Sequence, residues 1–359
     1  MSNKNKVFLA ANSPSGFVSF FDELYNPYRN CRAYIIKGGP GTGKSSLMKK
    51  LGAAAEQKGL DVIYVYCSSD PKSLDGVIIP ALSVSVADGT APHVLEPKFP
   101  GACENLLNLG AFWNEKELFE NADKIRALTL ENSLCHRRST RFLSAAGALL
   151  EENSRLLAPF VLEEKVNGFA RRFCAREKLK KRGAAPGKKM NCFLSGITPE
   201  GTVFFGETVR ALASRVLAVE DEFGAAAPLL LERIGETAVQ GGFDVVFCHC
   251  PMHPKECEHL LIPELSLAVV TLKSSHKTDL PISRTVRAKR FLAEDALKLH
   301  RRRLLLNSRL SSQLIGTATE ALFDAKSLHD KLEGYYIRSM DFEKLNKFSE
   351  KFIFSLLGE

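Results

Sequence analysis

Eight consecutive residues, Gly38, Gly39, Pro40, Gly41, Thr42, Gly43, Lys44 and Ser45, satisfy the pattern G-x-x-x-x-G-K-[ST] with the lysine and the hydroxyl in register. The chemistry of this pattern is that of a triphosphate cradle. Glycines let the backbone wrap phosphate oxygens with φ angles that other residues avoid, and they leave no Cβ in the way. The anion then rests on N–H groups at a helix N-terminus, those of Gly39 and of Gly41 to Ser46 being the candidates here. Lys44 can reach the β- and γ-phosphates as a point charge, and Ser45 can donate a hydroxyl oxygen to Mg²⁺.

Such a cradle needs a second carboxylate for the metal and a group that positions the attacking nucleophile. Asp88 ends the strand-like run Val84-Ser85-Val86-Ala87 and is the first candidate for the metal side, against the alternative of an Asp-Gly turn. Asp70 closes the strand after the cradle helix, at the edge where open α/β sheets bind ligands, and could orient water or metal; its alternative is an Asp-Pro turn. Asp75 and His93 are weaker candidates.

The elements that must position these residues are legible on either side. Ala33-Tyr34-Ile35-Ile36 reads as the strand entering the cradle, and Leu47, Met48, Leu51 and Ala55 recur at helical spacing after it. That helix should end at Gly59, before a strand over Asp61–Cys67. Strand, helix and strand make a parallel βαβ unit. Upstream, Val7 to Val18 reads as a hairpin turning at Pro14 and Gly16.

The chain repeats itself. A shift of 183 positions places Val62 on Val245, Cys67 on Cys250, Pro71 on Pro254, Pro80 on Pro263 and Ser83 on Ser266 without a gap. Near the start the shift is 185, so that Phe8-Leu9 meets Phe193-Leu194 and Gly16 meets Gly201. Two copies of one α/β domain are the economical reading. The same register lays the cradle on Asp221-Glu222-Phe223-Gly224-Ala225-Ala226-Ala227-Pro228, where one glycine survives and both lysine and hydroxyl are gone. Asp221 and Glu222 would repel phosphate, and Asp88 falls on Thr271, so the second copy should bind no triphosphate at this loop.

Three further groups carry possible chemistry. Cys248, His249, Cys250, His253, Cys257 and His259 crowd soft ligands together, but their spacing matches no standard zinc site and strand alternation splits Cys248 and Cys250 from His249. Arg284, Arg287, Lys289, Arg290, Arg301, Arg302 and Arg303 could supply an arginine finger if the halves pack face to face; Arg137, Arg138 and Arg141 could do so across a homodimer. The basic run from Ala170 to Met190 reads as a helix end and an exposed linker. Nucleic acid is not its expected partner, because Phe173 is its one aromatic residue, though it is not excluded.

Length and composition set the bounds. A chain of 359 residues exceeds one ordinary core, and 45% hydrophobic content supports packed domains. The formal net charge of +8 fits an anionic ligand, nucleic acid or a merely basic surface, and decides nothing alone. No apolar run approaches the ~18 residues of a membrane span, and Val7–Ala11 is too short for a secretory signal, so the expected compartment is the cytoplasm. Nine scattered cysteines fit reduced thiols there.

The cradle, Cys67-Ser68-Ser69-Asp70-Pro71, Leu74-Asp75-Gly76-Val77-Ile78-Ile79-Pro80 and Asp88-Gly89-Thr90-Ala91-Pro92-His93 together resemble a group of bacterial tandem P-loop ATPases of unassigned role, over nearly the whole chain. The resemblance implies a P-loop NTPase fold in two copies and ATP as the nucleotide; it implies no substrate. Both halves can carry an intact P-loop in that group, and the departure here argues against two-site catalysis.

The expectation is an α/β chain with a P-loop NTPase fold, a parallel sheet flanked by helices, duplicated in tandem. Residues 1–170 form the intact copy with a helical appendage, 171–190 a basic linker, and 191–359 the degenerate copy with its own appendage. The expected function is Mg²⁺-dependent binding and hydrolysis of ATP or another NTP, with Lys44, Asp88 and Asp70 as catalytic candidates and an unidentified protein or small-molecule partner. The alternatives are a kinase passing the γ-phosphate to a small molecule and a nucleotide-gated scaffold.

Overall fold

In the computed structural model, which describes residues 5–24, 32–92, 94–181, 183, 185–273, 279–293 and 295–358, the apolar runs become strands where the sequence places them. His93 lies outside the described residues. The first half lays down β1 (Asn5–Val7), the hairpin β2 (Ala10–Ser13) and β3 (Gly16–Ser19), β4 (Arg32–Lys37), α1 (Lys44–Gln57), β5 (Ile63–Tyr66), β6 (Leu74–Ile79), β7 (Val84–Asp88) and β8 (Glu104–Asn108). Three helices follow, α2 (Glu115–Glu120), α3 (Ala122–Leu157) and α4 (Glu163–Arg176). The second half gives β9 (Lys189–Cys192), the hairpin β10 (Ser195–Thr198) and β11 (Gly201–Phe204), α5 (Gly206–Leu212), β12 (Arg215–Glu220) and α6 (Ala227–Gln240). It continues through β13 (Val245–Cys250), β14 (His253–Ile262), β15 (Leu267–Leu272) and β16 (Ile282–Arg287) to α7 (Ala296–Ser339) and α8 (Phe342–Leu357).

The two six-stranded sheets have one topology, β1-β5-β6-β7-β4-β8 and β9-β13-β14-β15-β12-β16. The repeat extends to single backbone angles. Gly41 and Gly224 have φ of 68° and 69°, Ser83 and Ser266 of 51° and 48°, and Gly59 and Gly242 of 74° and 90°. The sheets are mixed, which corrects the expected parallel sheet: β6 runs antiparallel to β5 and β7, and β14 to β13 and β15. The cause is the length of the connections. Residues 67–73 and 80–83 are hairpin loops, too short for the crossover that a parallel neighbour needs.

The halves meet about a pseudo-twofold axis. Phe8 and Phe193, equivalent under the repeat, exchange backbone hydrogen bonds of 2.9 and 2.8 Å. Phe8 stacks on Phe205 at 4.4 Å and the equivalent pair, Phe193 and Phe20, lies at 4.9 Å. The buried cluster around them draws on both halves, from Val7–Ala11 on one side to Cys192–Leu194 on the other.

The helical appendages are exchanged between halves. Helix α3 runs antiparallel to α7, as Asn132 Nδ2 donates to the Ala325 carbonyl (2.7 Å) at one end and Asn153 Nδ2 to the Leu304 carbonyl (3.3 Å) at the other. Each rod therefore delivers its successor to the opposite sheet. Helix α4 buries Val166, Phe169, Ala170, Phe173 and Cys174 against α6 and the second sheet. Helix α8 buries Leu345 and Phe352 against α1 and the first sheet, each such side chain contributing about 1.5–3 kcal/mol. The basic stretch expected to be a linker thus begins inside a helix whose apolar face is core.

The interface also holds a titratable group. His249 lies 4.8 Å from the Phe20 ring, and its Nε2 is 3.0 Å from Asn191 Oδ1, whose amide in turn donates to Glu23 across the interface (2.6 Å). Burial, and then the charge of Lys189, lower its pKa to about 4. An unfolded histidine titrates near ~6.5, so between these values the unfolded chain binds the extra proton and folding weakens as pH falls. The urea midpoint should drop between pH 7 and pH 5. His249→Tyr, which installs the residue found at the equivalent Tyr66, should flatten that dependence; an unchanged slope would contradict the assignment.

Candidate functional site

The glycine loop joins β4 to α1 at the carboxyl edge of the first sheet, and Gly41 and Gly43 take the left-handed φ values of 68° and 87° that the pattern requires. Thr42 Oγ1 donates to the Gly39 carbonyl at 2.8 Å, pinning the turn. The first helical bond runs from the Leu47 N–H to the Gly43 carbonyl (2.9 Å), so helix geometry leaves the N–H groups of Lys44, Ser45 and Ser46 at the free end of α1. This is a backbone nest for an anion.

The side chains expected to act on that anion converge in part. Lys44 Nζ donates to the carbonyls of Gly38 (3.2 Å) and Gly39 (2.7 Å) and lies 3.5 Å from Asp88 Oδ2. Both side chains are largely buried, at 12% and 15% exposure. Asp88 reaches this place because β7 pairs directly with β4, Ile36 opposite Asp88. Its other oxygen accepts from the Thr90 N–H (2.9 Å) and hydroxyl (2.6 Å), which fixes the carboxylate. Ser45 Oγ accepts from the Leu74 N–H at 3.0 Å. One hydroxyl and one carboxylate are a donor set suited to Mg²⁺, which takes few protein ligands and completes its shell with phosphate and water.

Asp70 is placed differently. Its oxygens accept from the Lys72 N–H (3.1 Å) and the Ser73 hydroxyl (2.9 Å), the turn role that was its alternative, and Lys326 Nζ lies 3.6 Å away. The arginine-finger candidates are engaged or exposed elsewhere. Arg303 pairs with Glu152 at 2.5 Å and Arg287 with Glu220 at 3.2 Å, while Arg284 and Arg290 lie over the Phe169 ring at 5.7 and 5.6 Å.

What covers the glycine loop instead is the far end of α7. The Tyr336 ring lies so close to Gly39 that a Cβ there would come within 2.4 Å of it, and one on Gly41 would come within 3.0 Å of the Glu333 carbonyl. Leu345 of α8 closes on Gly43 in the same way, at 2.8 Å. The same stretch of α7 brings charge. A hydrogen bond from His329 holds the Glu333 carboxyl below its usual range despite burial. Burial opposes the Lys326 charge, but the Asp330 hydrogen bond and the charges of Asp70, Asp330 and Glu333 outweigh it and raise its pKa. Sequence reasoning missed Lys326, Glu333 and Tyr336, whose one available signal was the long repeated helix.

The second half fills its own nest. Asp221 is buried, and its carboxylate accepts the N–H groups of Ala225 (3.2 Å), Ala226 (2.8 Å) and Ala227 (2.7 Å), the equivalents of Thr42, Gly43 and Lys44. The expectation that Asp221 would repel phosphate understates the arrangement: the side chain sits where the anion would. Beside it a cavity of about 550 Å³ lies between the second sheet and the rods, where Lys273 pairs with Glu258 at 2.9 Å. The cysteine–histidine stretch does not converge. Cys248 Sγ faces Cys192 Sγ at 3.6 Å, Cys257 Sγ donates to the His259 carbonyl at 3.1 Å, and no metal-binding group of three His, Cys, Asp or Glu occurs among the described residues. Among them, too, no helix is long and apolar enough to cross a membrane.

Asp221→Ala would leave three donors unmatched, two of them buried, at a cost of about 2–4 kcal/mol. The thermal midpoint should fall accordingly, and millimolar sulfate should recover part of the loss in the variant while shifting the wild type less. Equal shifts in both proteins would count against a nest filled by its own carboxylate. No protein family, curated protein or solved structure matches this chain.

Proposed function

We propose that the first half binds ATP with Mg²⁺ and hydrolyses it, in a duplicated P-loop NTPase fold whose second half is structural or regulatory. The observation that carries this reading is the meeting of Lys44 and Asp88 over a glycine loop with left-handed Gly41 and Gly43 at the start of α1. The Gly39 to Ser46 backbone would hold the phosphates, and Lys44 would stabilise the charge gathering on the transferring phosphoryl group. Ser45 and Asp88 would hold Mg²⁺, which when bound neutralises phosphate charge.

Water would attack the γ-phosphorus and give up a proton to a nearby carboxylate, the bond to the β,γ-bridging oxygen would break, and ADP would depart with that electron pair, leaving inorganic phosphate. Asp70, tied into its turn, suits the water-orienting role less than Glu333, whose backbone abuts Gly41 and whose carboxyl a His329 hydrogen bond holds below its usual range. Because Glu333 and Tyr336 belong to α7, nucleotide occupancy bears directly on the rod that leads back to the second half. The same cover favours one second reading, a nucleotide-gated scaffold that binds ATP without turning it over.

Phosphate release and ATP binding measured on the same samples separate the two. Release should fall at least a hundred-fold in Lys44→Ala, and ten- to a thousand-fold in Glu333→Gln with ATP binding retained. Binding without release in the wild type would select the scaffold. Absence of ATP binding would overturn both.

A further inference from the structure

A groove follows the outer edge of the second sheet, between β16, the turn Ala288–Phe291 and α4. Two stretches of it, of about 1090 and 900 Å³, share Lys165 and Arg290 and together exceed the ~300–1,000 Å³ of small-molecule sites. Lys165, Arg171, Arg172, Arg287, Lys289 and Arg290 line it, all exposed, against the carboxylates of Glu164 and Glu220. Glu220 is paired with Arg287. Phe169 steadies the guanidinium of Arg290 from below, at 5.6 Å. Among the described residues strand β16 pairs on one side only, with β12.

In the first half a different groove, at the amino end of β4 and β8 and against the later turns of α8, carries Arg32 and Lys351 as its only charged groups among the described residues.

We propose that the basic groove of the second half binds nucleic acid through its phosphodiester backbone. Successive cations along a channel match a charge repeated along a strand. A concave surface suits a strand better than it suits the plane of a membrane. Among the described lining residues the one aromatic, Phe291, is buried, so bases find no stacking platform and sequence preference should be slight. The inference is independent of the ATP reading.

Fluorescence anisotropy of the full chain with fluorescein-labelled 30-nucleotide RNA, single-stranded DNA and duplex DNA of mixed sequence tests it. Binding to at least one probe is expected, weakening about 50- to 200-fold between 50 and 200 mM NaCl if four phosphates are neutralised. The triple charge reversal Arg171→Glu, Arg172→Glu and Lys289→Glu should weaken it more than ten-fold at 50 mM, and Lys351→Glu in the other groove should not. Should the reversed protein lose its circular dichroism, the three Arg/Lys→Gln changes serve in its place. Three results would each overturn the proposal: no binding to any probe, binding indifferent to the removed charges, or binding confined to phosphatidylserine vesicles.

Discussion

The constraint on which the structure turns is that neither sheet can cover itself. A sheet face left open beside α1 or α6 exposes apolar surface, and the helix that closes it comes from the opposite half: α8 for the first sheet, α4 for the second. The antiparallel rods α3 and α7 exist to make that exchange. Small residues at their contact, Ala146 and Ser311 among them, let the backbones approach, with the Ser311 hydroxyl 3.3 Å from the Ala146 carbonyl. Together with the shared core around Phe8 and Phe193, the exchange makes two domains by sequence into one object by packing.

Within that object the same anion nest occurs twice in opposite states. In the first half it is edged by an ammonium and a carboxylate held off to one side; in the second a carboxylate from the end of β12 enters it and satisfies the donors. The second loop keeps its shape without an outside anion because Asp221 stands in for one. That is a physical account of how a copy can lose its lysine and its hydroxyl and still fold in register with its partner, down to the matched φ of Gly41 and Gly224.

Much of this was written locally in the chain. The glycine pattern placed Gly41, Gly43 and Lys44, the strand-like run before Asp88 placed a strand, and a register of 183 placed β12 to β15 against β4 to β7, but not the edge strand β16, whose offset from β8 is 179. The antiparallel β6 was legible too, in connections too short to cross over, but the strand-helix-strand reading passed over it. The rest was not local. Helical periodicity in α4 and α8 marks an apolar face and is silent about which sheet receives it. Lys326, Glu333 and Tyr336 look like ordinary surface residues of a long helix until tertiary packing sets them on a loop far earlier in sequence. Asp221 was read by its charge alone, when its distance from three backbone N–H groups decides what that charge does.

The exchange also sets a timetable. Tyr336 follows Gly39 by about 300 residues, which at ribosomal rates of roughly 5–20 residues per second is about 15–60 seconds of synthesis. From the time the first sheet is made until α7 and α8 follow, its glycine loop stays uncovered and the apolar side of α1 open. The loop acquires its roof last, when α7 and α8 arrive, so a nascent or truncated chain carries the sequence pattern without the finished site.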